Sequence, residues 1–540
     1  MPNILDGKTL KQMIISAANN LSNNKKNVDD LNVFPVPDGD TGTNMSLTIL
    51  AVKKELERMD GETCAEVMAA ASTASLRGAR GNSGVILSQF FRGLSKGIEK
   101  KETLTVGDIC DAMVVSKDTA YRAVMKPTEG TILTVAREMA EAAVEYQPKD
   151  GDVLEFLQYI VKVGNKSLDN TPNLLPQLKQ ANVVDSGGKG LMVAVEGALY
   201  FLENGEVVVA KDEVEYESKV EKTIDVENIK FGYCTEFIIK KFAKKADWKK
   251  LRKQLEYIGD SVIVIDDVDI IKVHVHTNNP GIALEEALKL GQLVDIKIDN
   301  LKEQAEEEKA KKEQEEKVEI PFTPNAFITV AAGEGLVQMF TELGCNGIIE
   351  GGQTMNPSTD DFMREIEKLN ADNIFILPNN KNIILAAEQA AELSDKNIVV
   401  IKTRTVMQGM ACMMAFDEDA SCEENEDAMN EAISNVASGS VTFAARDCTI
   451  DELEIKKDDI MGLAEGKITF IGKEPHKVCE EIVSQLIDSS KSSVSIFKGE
   501  DADDEKTDEL LEALEEKYPD FDVNVYEGKQ PLYYYLISVE

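Results

Sequence analysis

Apolar residues in the first part of the chain recur at intervals of three and four. Leu10, Met13, Ile14, Ala17, Ala18 and Leu21 predict an amphipathic helix over 8–24. Helical spacing resumes over 45–59, 65–76, 85–91, 132–145 and 191–202, so the region reads as all-α. Beyond about residue 226 the pattern changes. Val262-Ile263-Val264-Ile265 and Ile270-Ile271-Lys272-Val273-His274-Val275-His276 are strand-like, and 248–258 is helical. After Pro321, short β-branched strands at 326–330, 373–377 and 397–401 alternate with helices that end near Leu343 and Leu393. That alternation predicts an α/β domain with a mainly parallel sheet.

The expected fold class is therefore multidomain: an all-α N-terminal domain, a small α+β middle domain and an α/β C-terminal domain. A length of 540 residues is too great for one core. The N-terminal domain is expected over 1–204, ending where the sequence turns acidic and polar up to about Val226. The middle domain is expected over 226–300 and the C-terminal domain over 323–540. Between them, 301–322 opens on LKEQAEEEKAKKEQEEKV, with Glu and Lys at i, i+4 spacing and no apolar seam, which reads as a solvated helical linker.

Charge narrows the partners. With 97 acidic against 59 basic residues the chain carries −38, a field that repels nucleic acid and anionic membrane surfaces. No apolar run is long enough to span a bilayer, and MPNILDGKTLKQMII lacks the layout of a signal peptide, so a cytoplasmic location is expected. Eight scattered cysteines fit a reducing compartment.

The candidate chemistry lies in glycine-punctuated helix starts. In Asn32-Val33-Phe34-Pro35-Val36-Pro37-Asp38-Gly39-Asp40-Thr41-Gly42-Thr43-Asn44-Met45, prolines stiffen the approach to a pair of carboxylates flanking a glycine. Asp38 and Asp40 can turn onto one point, and oxygen-only donors favour Mg²⁺ over Zn²⁺; Asn32 can add a neutral oxygen. An exposed Asp-Gly turn is the rival reading. Further starts of this kind are RGARGNSG ahead of Val85, KPTEGT ahead of Ile132 and DSGGKG ahead of Leu191. Free N–H groups and the dipole make each an anion site, and together they suggest helix N-termini gathered around a metal-bound polyphosphate. Neither a Walker motif nor a strand-linked G-x-G-x-x-G is present in this region.

PDGDTGTNM, RGARGNSGVILSQFF, KPTEGTIL and NVVDSGGKGL resemble the ATP-binding helical domain of the dihydroxyacetone kinase superfamily, an eight-helix barrel holding ATP and two Mg²⁺ at one end. With NVFPVPDGDTGTNM and GGQTMNPST, the whole chain resembles the ATP-binding subunits of bacterial fatty acid kinases. The resemblance implies that Asp38 and Asp40 ligate magnesium, with Asn32 standing nearest to a further aspartate of the sugar-type kinases. It implies that Thr43, Asn44, Ser83 and Gly84 lie beside the phosphates and that Asp185, Gly187 and Gly188 close the nucleotide site. Thr41, which replaces a histidine of those kinases, completes the cofactor contacts with Asn82 and Thr131. The implied reaction is transfer of the γ-phosphoryl group of ATP to a fatty acid on a separate carrier protein, giving an acyl phosphate for phospholipid synthesis. A dihydroxyacetone-type kinase and an ATP-gated scaffold without transfer are the alternatives.

Histidine usage bears on this choice. None of the three histidines precedes residue 274, and a carboxylate acceptor, ionised at pH 7, needs no base. His274 and His276 share one face of their strand, and Cys234 would complete a Cys-His-His set suited to Zn²⁺. Half-exposed histidines on an edge strand and a buried thiol are the rival reading. The resemblance places a metal-site candidate here and a role in dimerisation, so a homodimer is expected. The C-terminal domain resembles the separate fatty-acid-binding proteins of the DegV-like fold, implying partner docking. Within it, Gln353, Thr354, Asn356 and Ser358 offer hydrogen bonds but no nucleophile. Met407, Met410, Met413 and Met414 read as core or adaptable surface, and His476 as structural.

Overall fold

Asp6, Thr63, Thr105, Thr131, Asp152 and Asp185 each set a side-chain oxygen over the first turn of a helix, and Thr63 and Thr105 form reciprocal capping boxes with Glu66 and Asp108. The helices so started are part of a computed structural model that describes residues 3–32, 39–59, 63–124, 127–181, 183–211, 230–242, 247–266, 270–300, 321–351, 356–444, 448–450 and 453–540. The chain forms two units, Met1–Glu213 with Phe322–Glu540, and Val214–Pro321.

The first unit begins with α1 (Gly7–Asn23), α2 (Lys25–Asp29), α3 (Thr41–Arg58), α4 (Cys64–Gly78), α5 (Gly81–Gly97), α6 (Val106–Ala123), α7 (Ile132–Glu145), α8 (Val153–Leu174), α9 (Pro176–Ala181) and α10 (Ser186–Asn204). The pairs α3/α4, α4/α5, α5/α6, α6/α7 and α7/α8 pack side by side, α8 meets α10, and α10 and α3 both pack on α1. The helices thus close into a ring. Ser16 Oγ donates to the Gly197 carbonyl at 2.7 Å and Asn20 Nδ2 to that of Val193 at 2.7 Å, fastening the last helix to the first. Leu21, Met45, Ile49, Leu56, Phe156, Ile160 and Met192 fill the inside.

The second unit is a four-stranded antiparallel sheet with two helices: β1 (Tyr233–Lys241), α11 (Trp248–Ile258), β2 (Gly259–Asp266), β3 (Ile270–Thr277), α12 (Pro280–Leu288) and β4 (Gly291–Asn300), in the order β2-β3-β1-β4. Alternation along β1 buries Thr235, Phe237 and Ile239, and the latter two join a core with Leu251, Leu255, Ala283 and Ala287 of the helices.

The C-terminal part of the first unit opens with β5 (Phe322–Ala331), α13 (Glu334–Glu342), β6 (Gly347–Glu350), α14 (Thr359–Glu367), β7 (Asn370–Leu377), α15 (Ile384–Leu393) and β8 (Ile398–Val400), a parallel sheet in the order β6-β5-β7-β8. It continues with α16 (Val406–Met414), α17 (Cys422–Asn435), β9 (Ala437–Phe443), β10 (Cys448–Ile450), β11 (Leu453–Ile455), β12 (Ile460–Ala464), β13 (Lys467–Gly472), α18 (Pro475–Leu486), β14 (Ser493–Lys498), α19 (Asp504–Lys517), β15 (Asp522–Glu527) and β16 (Tyr533–Val539). The expectation of a mainly parallel sheet holds for the strands of 326–401 and does not extend to the strands that follow. The second sheet, β13-β12-β9-β16-β14-β15, pairs antiparallel everywhere except β14 with β15. For β12 and β13 the cause is the connection Glu465-Gly466, both residues at positive φ: a two-residue hairpin turn can only return the chain antiparallel.

Met407, Met410 and Met413 are buried with Phe327 and Phe375, while Met414 is exposed, so the cluster is mostly core. His476 lies buried in α18, with Nε2 3.9 Å from a Glu509 carboxylate oxygen. Among the described residues no helix is long and apolar enough to cross a membrane.

Candidate functional site

Four helix starts meet at one place on the ring. The Ser186 hydroxyl of α10 donates to Thr41 Oγ1 of α3 at 3.3 Å, and Asn32 Nδ2 donates to the same oxygen at 3.1 Å. The Asp185 carboxylate accepts from Gly188 N at 2.7 Å and from the backbone of Ile132, tying the start of α10 to that of α7. Thr48 Oγ1 of α3 accepts from Arg80 N at 3.3 Å and donates to the Asn44 carbonyl at 2.7 Å, joining α3 to the start of α5. The positive ends of four dipoles are thereby brought together.

Asp40 stands at the N-cap position of α3, yet its side chain makes no capping hydrogen bond. Its carboxylate is instead approached from the C-terminal part of the unit: Asn356 Nδ2 donates to Asp40 Oδ2 at 2.5 Å. Asp38, its expected companion, lies outside the described residues. Thr43, expected beside phosphates, turns to Asp29: its backbone N–H and its hydroxyl donate to the two oxygens of that carboxylate at 3.0 and 2.8 Å. Burial raises the Asp29 pKa above the usual carboxylate range against the lowering effect of these bonds.

Gly81 has φ +55°, and a Cβ there would come within 2.5 Å of Asn44 Nδ2 and 3.1 Å of Asn356 Nδ2. The glycine is what lets two amides approach the start of α5. Gly84 meets α3 in the same way, since a Cβ there would collide with Thr48 Oγ1. Asn82 Nδ2 donates to Asn382 Oδ1 at 3.4 Å, while its own Oδ1 is buried without a hydrogen-bond partner. Ser83 follows in the first turn of α5. Thr131 caps α7, accepting from Leu133 N at 3.4 Å. Gly187 and Gly188 form the first turn of α10 and are buried. Carboxylate, amide and hydroxyl oxygens are the donor types a hard divalent ion such as Mg²⁺ takes, but among the described residues no three His, Cys, Asp or Glu side chains come together to hold a metal.

Asp185 offers a test of this end of the ring. Burial raises its carboxyl from 3.8 to about 6, more than its bonds to Gly188 and Ile132 lower it. The folded chain then holds a proton that the unfolded chain has released, so stability falls as pH rises from 3.8 to about 6 and is level above that window. The upper bound is about 3 kcal/mol. Asp185→Asn keeps an oxygen acceptor over Gly188 and removes the charge. Its melting temperature should exceed that of the parent chain at pH 7 and match it at pH 4; an equal difference at both values would contradict the assignment.

The zinc expectation is not supported among the described residues. The register sets Cys234 opposite His276 and Glu236 opposite His274, so the named residues do share a sheet face. However, Cys234 Sγ lies 4.0 Å from Glu236 Oε1 and His276 Nδ1 lies 3.7 Å from Asp260 Oδ1. Each thus has a carboxylate beside it. Among the described residues no three His, Cys, Asp or Glu side chains converge to hold a metal, and the His274 side chain lies outside them.

Sequence reasoning missed Asp29, Arg80 and the reach of Asn356. Ser358-x-x-Asp361 is legible as a capping box and forms one, with Ser358 Oγ 2.8 Å from Asp361 Oδ2. Nothing local shows that this box docks on Arg80.

Residues 35–200 match the DAK2 domain, 230–308 match the middle domain of the FakA-like fatty acid kinase family, and 326–540 match the C-terminal domain of the same family. An uncharacterized protein of Staphylococcus aureus strain USA300 is 44% identical over 545 residues, covering 99% of each chain. One from Staphylococcus epidermidis strain RP62A is 42% identical over 549 residues, again 99% of each. Among solved structures, the Streptococcus pneumoniae fatty acid kinase B3 protein loaded with linoleic acid is 13% identical, with a TM-score of 0.29, over 40% of this chain and 99% of that one. The dihydroxyacetone kinase of C. freundii is 11% identical, with a TM-score of 0.32, over 40% of this chain and 48% of that one. At such scores the sequence matches alone carry the kinship.

Proposed function

The chain belongs to the FakA-like fatty acid kinase family, and on that premise we propose that its helical domain holds Mg²⁺–ATP and passes the γ-phosphoryl group to a fatty acid on a separate carrier protein, giving an acyl phosphate. The observation that carries this reading is the meeting of four helix N-termini at one place on the ring, with Asp40 at the N-cap position of one of them and its side chain not capping that helix. Asp38 and Asp40, with Asn32, would hold two Mg²⁺ ions. When bound, the ions supply neutralisation of the phosphate charge. Thr41, Thr43, Asn44, Asn82, Ser83 and Gly84, in the first turns of α3 and α5, lie beside the phosphates. Thr131, Asp185, Gly187 and Gly188 close the nucleotide side.

No residue of the helical domain is a histidine, which suits an acceptor that arrives ionised. Positioning and charge neutralisation then suffice, without a covalent enzyme intermediate. The second unit is proposed to pair with a second copy of the chain, a reading supported by edge strand β4, which leaves Ile296 and Ile298 exposed. The DAK2 match keeps a dihydroxyacetone-type kinase as the second reading.

Hydroxylamine separates the two. An acyl phosphate reacts with it to give a hydroxamate, and a phosphate ester of dihydroxyacetone does not. ATP, Mg²⁺, a fatty acid and its carrier should give hydroxamate in proportion to ATP consumed. ATP consumption with dihydroxyacetone and none with the acid would establish the second reading. Binding of ATP without consumption of either would leave a nucleotide-gated scaffold.

A further inference from the structure

The C-terminal part of the first unit reaches the candidate carboxylate through Asn356, and the surrounding contacts are built to hold that side chain there. Asn356 is buried, 4% exposed, and its amide donates to Asp40 Oδ2 at 2.5 Å. Its backbone carbonyl accepts from Arg80 Nη1 at 2.8 Å, and that guanidinium lies 3.5 Å from Asp361 Oδ2. Ser358 pairs with Arg80 in an antiparallel bridge, and Thr359 N donates to the Ala79 carbonyl at 3.1 Å. Pro357, its φ fixed by the ring, is the one residue between Asn356 and this bridge. Further along, α15 and α5 are joined by Gln389, which donates to the Leu76 carbonyl at 2.6 Å and accepts from Gln89 at 3.3 Å.

The chemistry of the contact is selective. A lysine or arginine against Asp40 would cancel the charge that a cation needs, whereas a neutral amide fixes the carboxylate and leaves its charge intact. Arg80, a cation close by, is bonded to the main chain of Asn356 and paired with Asp361 instead. We propose that Asn356 is a positioning residue of the metal–nucleotide site, orienting Asp40 from the C-terminal domain, so that this domain takes part in turnover as well as in docking. The inference rests on the reading of Asp40 as a metal ligand.

The full-length chain carrying Asn356→Ala tests it, beside Asn356→Gln and Asp40→Ala. Two quantities are read: Mn²⁺ binding in the presence of ATP, followed by the electron paramagnetic resonance of the free ion, and steady-state ATP turnover with carrier and fatty acid. Asn356→Ala should weaken Mn²⁺ binding by about 10- to 100-fold, the usual cost of losing a group that orients a metal ligand. It should lower kcat, leave KM for the carrier unchanged and unfold at the temperature of the parent chain, and Asn356→Gln should recover part of both losses. Parent-like Mn²⁺ affinity and kcat in Asn356→Ala, with Asp40→Ala defective in both, would overturn the inference alone. A change only in carrier KM, or a loss that tracks a lower unfolding temperature, would also overturn it. Parent-like behaviour of Asp40→Ala would remove the metal reading and the inference with it.

Discussion

Asp40→Ala should lower phosphoryl transfer by roughly three orders of magnitude or more while the chain stays folded, a barrier increase of about 4 kcal/mol or more. The two halves of this expectation come from one fact, that the Asp40 side chain does not cap α3. A capping aspartate replaced by alanine costs about 1 kcal/mol in helix stability; Asp40 makes no such bond, so its removal leaves the helix nearly unchanged. Its carboxylate is proposed to bind a cation, and a polyphosphate bound without that cation meets a chain of net charge −38. Steady-state ATP consumption, recorded with thermal unfolding on the same samples, checks both halves. Turnover within tenfold of the parent would remove Asp40 from the metal site, and loss of folding would make it a structural residue.

Phe362→Ala should destabilise the first unit by about 3–5 kcal/mol. The ring is fully buried in α14, within a core that contains Ile328, Ile374 and Ile376 of the parallel sheet and also Ala79 and Val85 at the start of α5. Truncation removes apolar contact on both sides at once, because the site can collapse only by moving the α5 start or the sheet. The denaturation midpoint should fall with the slope unchanged, and the loss should extend to the helical residues as well as to the sheet. A cost below about 1 kcal/mol would mean that the helical and α/β parts do not share this core.

Much of the architecture was legible because it is periodic. Leu10, Met13, Ile14 and Leu21 repeat at helical spacing, and α1 follows them from Gly7 to Asn23. The glycine-punctuated starts at Thr41, Gly81, Ile132 and Ser186 were legible too, since capping residues and glycines have local causes. What failed was pairing at a distance. Asn356 and Asp40 are 316 residues apart, and no periodicity or cap links them. The antiparallel second sheet had a local signal in Glu465-Gly466 that the alternation upstream obscured, because the strands of 326–401 do form a parallel sheet. The bonds of Thr43 to Asp29 were likewise not legible, since the acidic neighbour Asp30 makes the pair look like an ordinary polar turn. The histidine spacing at 274 and 276 was legible as a shared sheet face with Cys234, because alternation along a strand has a local cause.

The most direct measurement is the fate of labelled γ-phosphate from Mg²⁺–ATP, with a fatty acid on its carrier in one reaction and dihydroxyacetone in another, each run with the parent chain and with Asp40→Ala. The account predicts label on the acid, dependent on the carrier and lost in the variant. Label on dihydroxyacetone, or label on the acid that survives in Asp40→Ala, would contradict it.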